Sequence, residues 1–138
     1  MFKKLLVAFD GSEHAMRAFD LALGIAEADE AEIVVLSVAQ PAEPATMVET
    51  SAVIDAAREH FEQQFDKLRN EAARRGVALR TKVAVGHVAD QIIRAAAEEK
   101  ADMIVMGHRG KSLVQRWLLG SVSKRVISYA PCSVLVAR

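Results

Sequence analysis

The run Leu5-Leu6-Val7-Ala8-Phe9-Asp10-Gly11-Ser12 is apolar for five residues and then stops abruptly at a turn. The apolar residues do not alternate with polar ones, which is typical of a strand that is covered on both faces. Ser12 is a natural N-cap, and the apolar residues that follow it recur at helical spacing: Ala15, Ala18, Phe19, Ala22, Ile25 and Ala26. The stretch therefore predicts a strand that leads directly into a helix.

The same strand-to-helix unit repeats further along the chain. Ile33 to Val38 is a second apolar strand, and Ala39 to Thr50, which contains Pro41 and Pro44, is predicted to be a long loop. A long helix follows and ends at Arg74-Arg75-Gly76, where basic residues precede a C-cap glycine. One face of this helix is apolar, with Val53, Ala57, Phe61, Phe65, Leu68 and Ala72.

The second half of the chain continues this alternation. In residues 77–85, apolar residues alternate with residues that include the charged Arg80 and Lys82, so one face of this third strand is more polar. This pattern places the strand near a sheet edge. A short helix over 88–99 and an apolar strand over 103–106 follow, and then a helix over 120–129 and a strand over 132–137. Strands that alternate with helices predict a parallel sheet with helices on both faces. The expected fold class is α/β, a Rossmann-like, single-domain, open, parallel five-stranded sheet.

The ends of these strands are the expected place for a ligand. In open parallel sheets, ligands bind beyond the carboxyl ends of the strands, at the point where the strand order reverses. The residues at or just after those ends are Asp10, Val38, Gly86 and Gly107. They are therefore candidate ligand residues.

Composition sets outer limits on the kind of protein. A chain of 138 residues fits one domain over 1–138, and with 51% hydrophobic and 26% charged residues it has the composition of a globular protein. No segment approaches the roughly 20 apolar residues of a membrane span. The apolar run after Lys4 is interrupted by Asp10 too early for a signal peptide, so we expect a cytoplasmic protein. The single cysteine, Cys132, excludes an internal disulfide and is expected to be a small core residue.

Charge is unevenly distributed although the net charge is zero. Asp102 is the last acidic residue, so the C-terminal quarter is positive and an anionic partner is expected there. A solvated face that acids elsewhere balance is the alternative. The basic residues come without interleaved aromatics, which argues against nucleic-acid binding. They are Arg109, Lys111, Arg116, Lys124, Arg125 and Arg138.

Two glycine-marked clusters carry the chemistry of this segment, Gly107-His108-Arg109-Gly110 and Gly120-Ser121-Val122-Ser123. Glycines at a strand end allow backbone amides to approach an oxyanion, and the second cluster opens a helix, whose first amides lack intrahelical partners. The two serines add hydroxyl donors, and Arg109 or Lys111 could supply full charge. A plain turn and a simple N-cap are the alternatives for the two clusters.

Two common phosphate loops do not match. Gly110-Lys111-Ser112 resembles the end of a P-loop, but a P-loop would require its first glycine at position 105, where this chain has Val105. The dinucleotide pattern G-x-G-x-x-G does not occur.

The spacing G-x2-G-x9-G-S from Gly107 to Ser121 resembles the nucleotide-binding signature of ATP-binding universal stress proteins. Phe9 to Ser12, Leu118 to Ser123 and Pro131 to Val136 also resemble that family, so the resemblance covers essentially the whole chain. It implies strand order 3-2-1-4-5, and bound ATP with or without Mg²⁺, or AMP or ADP in its place. The nucleotide-binding residues that it implies are Ala8, Asp10, Val38, Gly107, Arg109, Gly110, Gly120, Ser121, Val122 and Ser123.

The resemblance also implies roles. Asp10 would contact the ribose or base and the Val38 backbone would read adenine, whereas the glycine clusters would surround the phosphates. A carboxylate suits sugar hydroxyls and would repel phosphates, and capping of the following helix is an equally good role for Asp10. Ser37 departs from the family, since many relatives have histidine there. His108 is expected to face either the phosphates or solvent.

The resulting functional hypothesis is a nucleotide-binding regulatory module of the stress response. No poised base, activated nucleophile or metal site is recognisable, and His14, His60 and His87 are expected to have solvent or packing roles. A weak ATPase and a nucleotide-independent protein that acts through protein partners are the alternatives. The last strand is apolar, and relatives pair through it, so a homodimer through Ser133 to Val136 is expected.

Overall fold

The computed structural model describes residues 1–40, 47–108 and 119–138, and for residues 47–50 and 53 it describes the backbone alone. Strands and helices alternate along the chain. Within the described ranges, no helix combines the length and the apolar character that crossing a bilayer requires. The elements are β1 (Lys4–Ala8), α1 (Glu13–Asp29), β2 (Glu32–Ala39), α2 (Met47–Arg74), β3 (Leu79–Val85), α3 (Val88–Glu99), β4 (Met103–Gly107), α4 (Ser121–Tyr129) and β5 (Ser133–Ala137).

The five strands form one parallel sheet in the order β3-β2-β1-β4-β5. The expected α/β class and strand order are therefore confirmed, and β3 lies at an edge as predicted. In the centre, Val7 of β1 is paired with Val35 of β2 on one side and with Val105 of β4 on the other. The chain moves from β1 outward in both directions, so the strand order reverses between β1 and β4. In open parallel sheets, the crevice that binds ligands lies at the carboxyl ends of the strands at this point.

A layer of helices covers each face of the sheet. On one face, α1 and α2 bury Phe19 and Phe65 against β1, β2 and β4. On the other face, α3 and α4 bury Ile92 and Val126 against the same strands. Because successive residues of a strand point to opposite faces, burial on both sides explains the unbroken apolar runs. Leu5, Leu6 and Val7 are all fully buried.

The helix boundaries follow local chemistry in most places. The Ser12 side chain caps α1 by accepting a hydrogen bond from the amide of Ala15, and Gly76 follows α2 with a φ of 68°. The predicted loop over 39–50 is wrong at both ends, because β2 includes Ala39 and α2 begins at Met47. Pro41 and Pro44 both precede Met47, and from Met47 onward no proline or glycine interrupts the helical sequence before Gly76.

Candidate functional site

Buried polar side chains mark one edge of the sheet. Among the residues that the structure describes, the buried polar residues are Ser37, His108 and Ser123, each no more than 2% exposed. Ser37 lies near the end of β2, His108 directly follows β4, and Ser123 lies in the first turn of α4. Burying a polar group is costly unless it is hydrogen-bonded. Their concentration at the carboxyl edge therefore distinguishes this edge from the rest of the core.

The end of β4 and the start of α4 are tied together. The Gly120 amide donates to the His108 carbonyl at 3.3 Å. The Ser123 hydroxyl donates to the carbonyls of Gly107 at 3.2 Å and His108 at 3.1 Å. The described parts of the two glycine clusters, which nine residues separate in the sequence, thus meet at this edge.

The start of α4 suits an anion. Gly120 is its N-cap and offers no side-chain cap, and the first turn contains no acidic residue. By contrast, α1 has Glu13 in its first turn, and α3 has Asp90. Since the amides of a first helical turn lack intrahelical partners and lie at the positive end of the helix dipole, this terminus favours negative charge.

The three residues that follow Gly120 contribute differently. Ser121 is exposed, so its hydroxyl is open to a ligand. Val122 is half-buried and packs against the α3/α4 core, which leaves its backbone amide as its polar group. The Ser123 proton goes to the two carbonyls at the end of β4, so the same proton is not available to a phosphate in this arrangement.

Gly107 has a second reason to be glycine. A Cβ at this position would lie 2.6 Å from the Cβ of His14 and 2.8 Å from its backbone carbonyl carbon. Helix α1 therefore approaches β4 so closely that a side chain would collide with its backbone. This long-range packing requirement was not foreseen from the sequence, where the glycine indicated only a turn or a phosphate contact.

Two histidines lie beside this glycine. The rings of His14 and His108 are 6.1 Å apart between centroids. The Nδ1 atom of His14 is buried and has no hydrogen-bond partner among the described residues. His108 is 2% exposed, which excludes solvent, one of the two alternatives for this side chain. Sequence reasoning gave His14 only a solvent or packing role and did not place it at this edge.

Asp10 lies at the end of β1 and is half-buried. Its Oδ1 accepts a hydrogen bond from the Ser12 amide at 2.9 Å, while Ser12 itself caps α1. Asp10 thus orders the turn before the helix rather than capping the helix directly. A carboxylate has about four acceptor positions, so this bond leaves capacity for a ligand.

The neighbouring strand provides Val38, and Ser37 beside it. Val38 and Ala8, the last residue of β1, are both half-buried and pack against the α3/α4 core. The Ser37 hydroxyl donates to the Phe9 carbonyl at 2.7 Å. The sequence identified Ser37 only as a departure from the family, and this contact could not be predicted because it joins residues 28 positions apart.

Some predicted residues lie outside the described residues or are engaged elsewhere. Arg109 and Gly110 fall in the range 109–118, which is not described. Arg125 donates from Nε to Asp90 at 2.8 Å, and this hydrogen bond raises the pKa of Arg125. Its guanidinium also lies over the ring of Tyr129. At Arg125 the basic segment is therefore balanced by an acid elsewhere in the fold, the alternative that the sequence left open.

An open groove of about 520 Å³ lies between α1 and α2. Phe9, Phe19 and Leu68 give it apolar walls, and both acidic and basic side chains line it. Of the predicted nucleotide-binding residues that the structure describes, none lines this groove. Its lining residues are Phe9, Gly11, Met16, Phe19, Asp20, Gln64, Lys67, Leu68 and Glu71.

Comparison with known sequences gives matches over the full chain. The family model described as "Universal stress protein family" matches residues 1–138. The chain is 36% identical to the universal stress protein YxiE of Bacillus subtilis, with all of both chains covered. It is 39% identical to a universal stress protein of Thermus aquaticus, again with complete coverage of both.

Solved structures show the same fold. The universal stress protein UspA of Lactobacillus plantarum superposes with a TM-score of 0.87 at 27% identity, over 99% of this chain and 98% of that one. A universal stress protein solved in complex with cAMP superposes with a TM-score of 0.76 at 26% identity. That match covers 99% of this chain and 97% of the other.

Proposed function

This chain belongs to the universal stress protein family, and from this premise we propose that it binds an adenine nucleotide at the carboxyl edge of its sheet, either ATP or, in its place, AMP or ADP. In this proposal it acts in the cytoplasm as a regulatory module of the stress response. The observation that carries the proposal is the junction at which the Gly120 amide and the Ser123 hydroxyl meet the carbonyls that end β4. The relative solved with cAMP supports the nucleotide class.

The phosphates would lie against the start of α4. The amides of Ser121, Val122 and Ser123 and the Ser121 hydroxyl are donors there, and the absence of an acid from this turn favours an anion. Gly120 would keep the approach free of a side chain, and Gly107 would lie at the strand end beside it, with its Cβ direction closed by α1. Arg109 and Gly110, which the motif adds, would complete the cradle, and Mg²⁺ would supply further positive charge when ATP is bound.

The nucleoside would lie on the other side of the crevice. Asp10 would accept hydrogen bonds from the ribose hydroxyls, a role that suits a carboxylate and keeps it away from the phosphates. The backbone of Val38 would read the adenine edge, and Ala8 would border the base. Ala8 and Val38 lie at the carboxyl ends of β1 and β2, and Asp10 follows β1, which pairs with β4 in the sheet.

A charge substitution at the N-cap of α4 tests this placement. Gly120→Asp and Gly120→Asn add side chains of nearly equal size, and both residues are good N-caps, so the two variants differ mainly in charge. We expect Gly120→Asp to bind ATP at least about tenfold more weakly than Gly120→Asn, because the carboxylate repels phosphate. Calorimetric titration of nucleotide-free protein measures this ratio. Equal affinities would contradict the phosphate position.

The nucleotide itself can be identified directly. Freshly purified protein is denatured, and any released ligand is determined by mass spectrometry. We expect ATP, ADP or AMP.

To separate binding from turnover, the ATP hydrolysis rate of the wild type is compared with that of Gly110→Ala. Appreciable hydrolysis that depends on Gly110 would favour an ATPase over a regulatory nucleotide-binding module.

We further propose a homodimer that pairs through β5. This strand is at the sheet edge, and Val134, Leu135 and Val136 are only half-buried in the single chain. The other edge strand, β3, carries Arg80 and Lys82 in ion pairs with acids, and such charges disfavour edge pairing. Val134→Pro removes a ladder donor and should yield monomers in sedimentation velocity. An unchanged dimer would refute pairing through this strand.

A further inference from the structure

A buried hydroxyl of β2 holds the last backbone carbonyl before Asp10. Ser37 is 0% exposed, and its Oγ donates to the Phe9 carbonyl at 2.7 Å. The Phe9 amide in turn donates to the Leu36 carbonyl at 2.8 Å. Both polar backbone groups of Phe9 are thus attached to β2 just where the chain leaves the sheet.

This attachment controls the residue that follows. The carbonyl of Phe9 and the amide nitrogen of Asp10 belong to one planar peptide unit, so fixing the carbonyl also fixes the orientation of that plane. Beyond it, the Asp10 carboxylate is oriented by the hydrogen bond from the Ser12 amide. The position of the carboxylate is therefore set from two sides, by Ser37 before it and by Ser12 after it.

We infer that Ser37 is a positioning residue that makes this crevice selective for ribose, acting through the Phe9 carbonyl on the carboxylate of Asp10. The inference rests on the proposed binding of an adenine nucleotide and names the part of the nucleotide that Ser37 controls. A hydrogen bond to a sugar hydroxyl requires the carboxylate to be within a few tenths of an ångström of its best position. Without the Ser37 hydroxyl, the Phe9 peptide plane is free to rotate and Asp10 moves with it.

The test measures sugar selectivity, which a general loss of stability would not change. The affinities for ATP and 2′-deoxy-ATP are determined by calorimetry for wild type, Ser37→Ala, Ser37→Thr and Asp10→Ala. Val35→Ala is the matched control, because Val35 is also 0% exposed and lies two residues away, on the same face of β2. Circular dichroism at the titration temperature checks that each variant is folded.

The wild type should prefer ATP by about tenfold or more, since a site built to bind a hydroxyl rejects the analogue that lacks it. Ser37→Ala and Asp10→Ala should both reduce this ratio to within about threefold. A protein that carries both substitutions should have the same ratio as Asp10→Ala alone. Ser37→Thr retains the hydroxyl and should retain most of the preference, and Val35→Ala should retain all of it.

Three results would overturn the inference. One is a Ser37→Ala protein that still prefers ATP as strongly as the wild type does. Another is loss of the preference for ATP in Val35→Ala, which would show that any destabilising substitution in this part of β2 has the same effect as Ser37→Ala. The third is an unchanged preference in Asp10→Ala, which would remove the residue through which Ser37 acts. A wild-type protein that binds neither nucleotide would instead refute the proposed function itself.

Discussion

Replacing Gly107 by alanine places a methyl group against the backbone of α1. The new Cβ would be 2.6 Å from the Cβ of His14 and 2.8 Å from its carbonyl carbon, whereas non-bonded carbons sit about 3.5–4.0 Å apart. Helix α1 must therefore move away from β4 by on the order of 1 Å. Overpacking of this kind costs about 1–3 kcal/mol. Because the contact is with backbone, we expect Gly107→Ala to lower the free energy of unfolding by about 2 kcal/mol or more.

A second glycine provides the control. Gly24 lies in the middle of α1, and a Cβ there would meet no heavy atom within 4 Å. Gly24→Ala should therefore stabilise the protein by about 0.5–1 kcal/mol, the usual gain in an exposed helix. Urea denaturation without nucleotide, followed by circular dichroism, measures both changes. The reasoning is refuted if Gly107→Ala unfolds at the same urea concentration as the wild type, or if the two variants shift it in the same direction.

Three other residues give further predictions. Ser123→Ala leaves two carbonyls without their hydroxyl donor and should cost about 1–3 kcal/mol in urea denaturation, and no loss would contradict the tie that we describe. The amides of Lys3 and Lys4 donate hydrogen bonds to the Asp102 carboxylate and lower its pKa, so the ionised Asp102 stabilises the fold above about pH 4, and this stabilisation is lost as the pH falls through the lowered pKa. Asp102→Ala should therefore make the stability less dependent on acid pH. If the stability of Asp102→Ala falls with acid as much as that of the wild type, this role of Asp102 is contradicted. Burial raises the pKa of the Cys132 thiol, so iodoacetamide at pH 8 should label the native protein more slowly than the urea-unfolded protein, and equal rates would exclude this.

Local signals made most of the fold predictable. Ser12 caps α1, and Gly76 follows α2, as the sequence indicated. The unbroken apolar runs identified the central strands because both faces of the sheet are covered. The start of α2 was missed, since Pro41 and Pro44 suggested a longer loop than the one that precedes Met47.

The candidate site could be predicted only in part. Motif spacing identified Gly107 and Gly120 as candidates, and the structure brings the strand end and the helix start together. The contacts that hold the crevice in shape could not be found in this way, because Ser37 reaches Phe9, and Gly107 meets α1, across long stretches of sequence. Such contacts depend on sheet register and helix packing, which local patterns do not encode.

The most direct test of nucleotide binding at this edge is an NMR titration. ATP and AMP are added to ¹⁵N-labelled, nucleotide-free protein, and shifts of the backbone amides are mapped onto the fold. Binding in the crevice predicts saturable shifts at Asp10, Val38, Gly107 and residues 120–123. The absence of shifts, or shifts confined to the groove between α1 and α2 around Lys67, would contradict it.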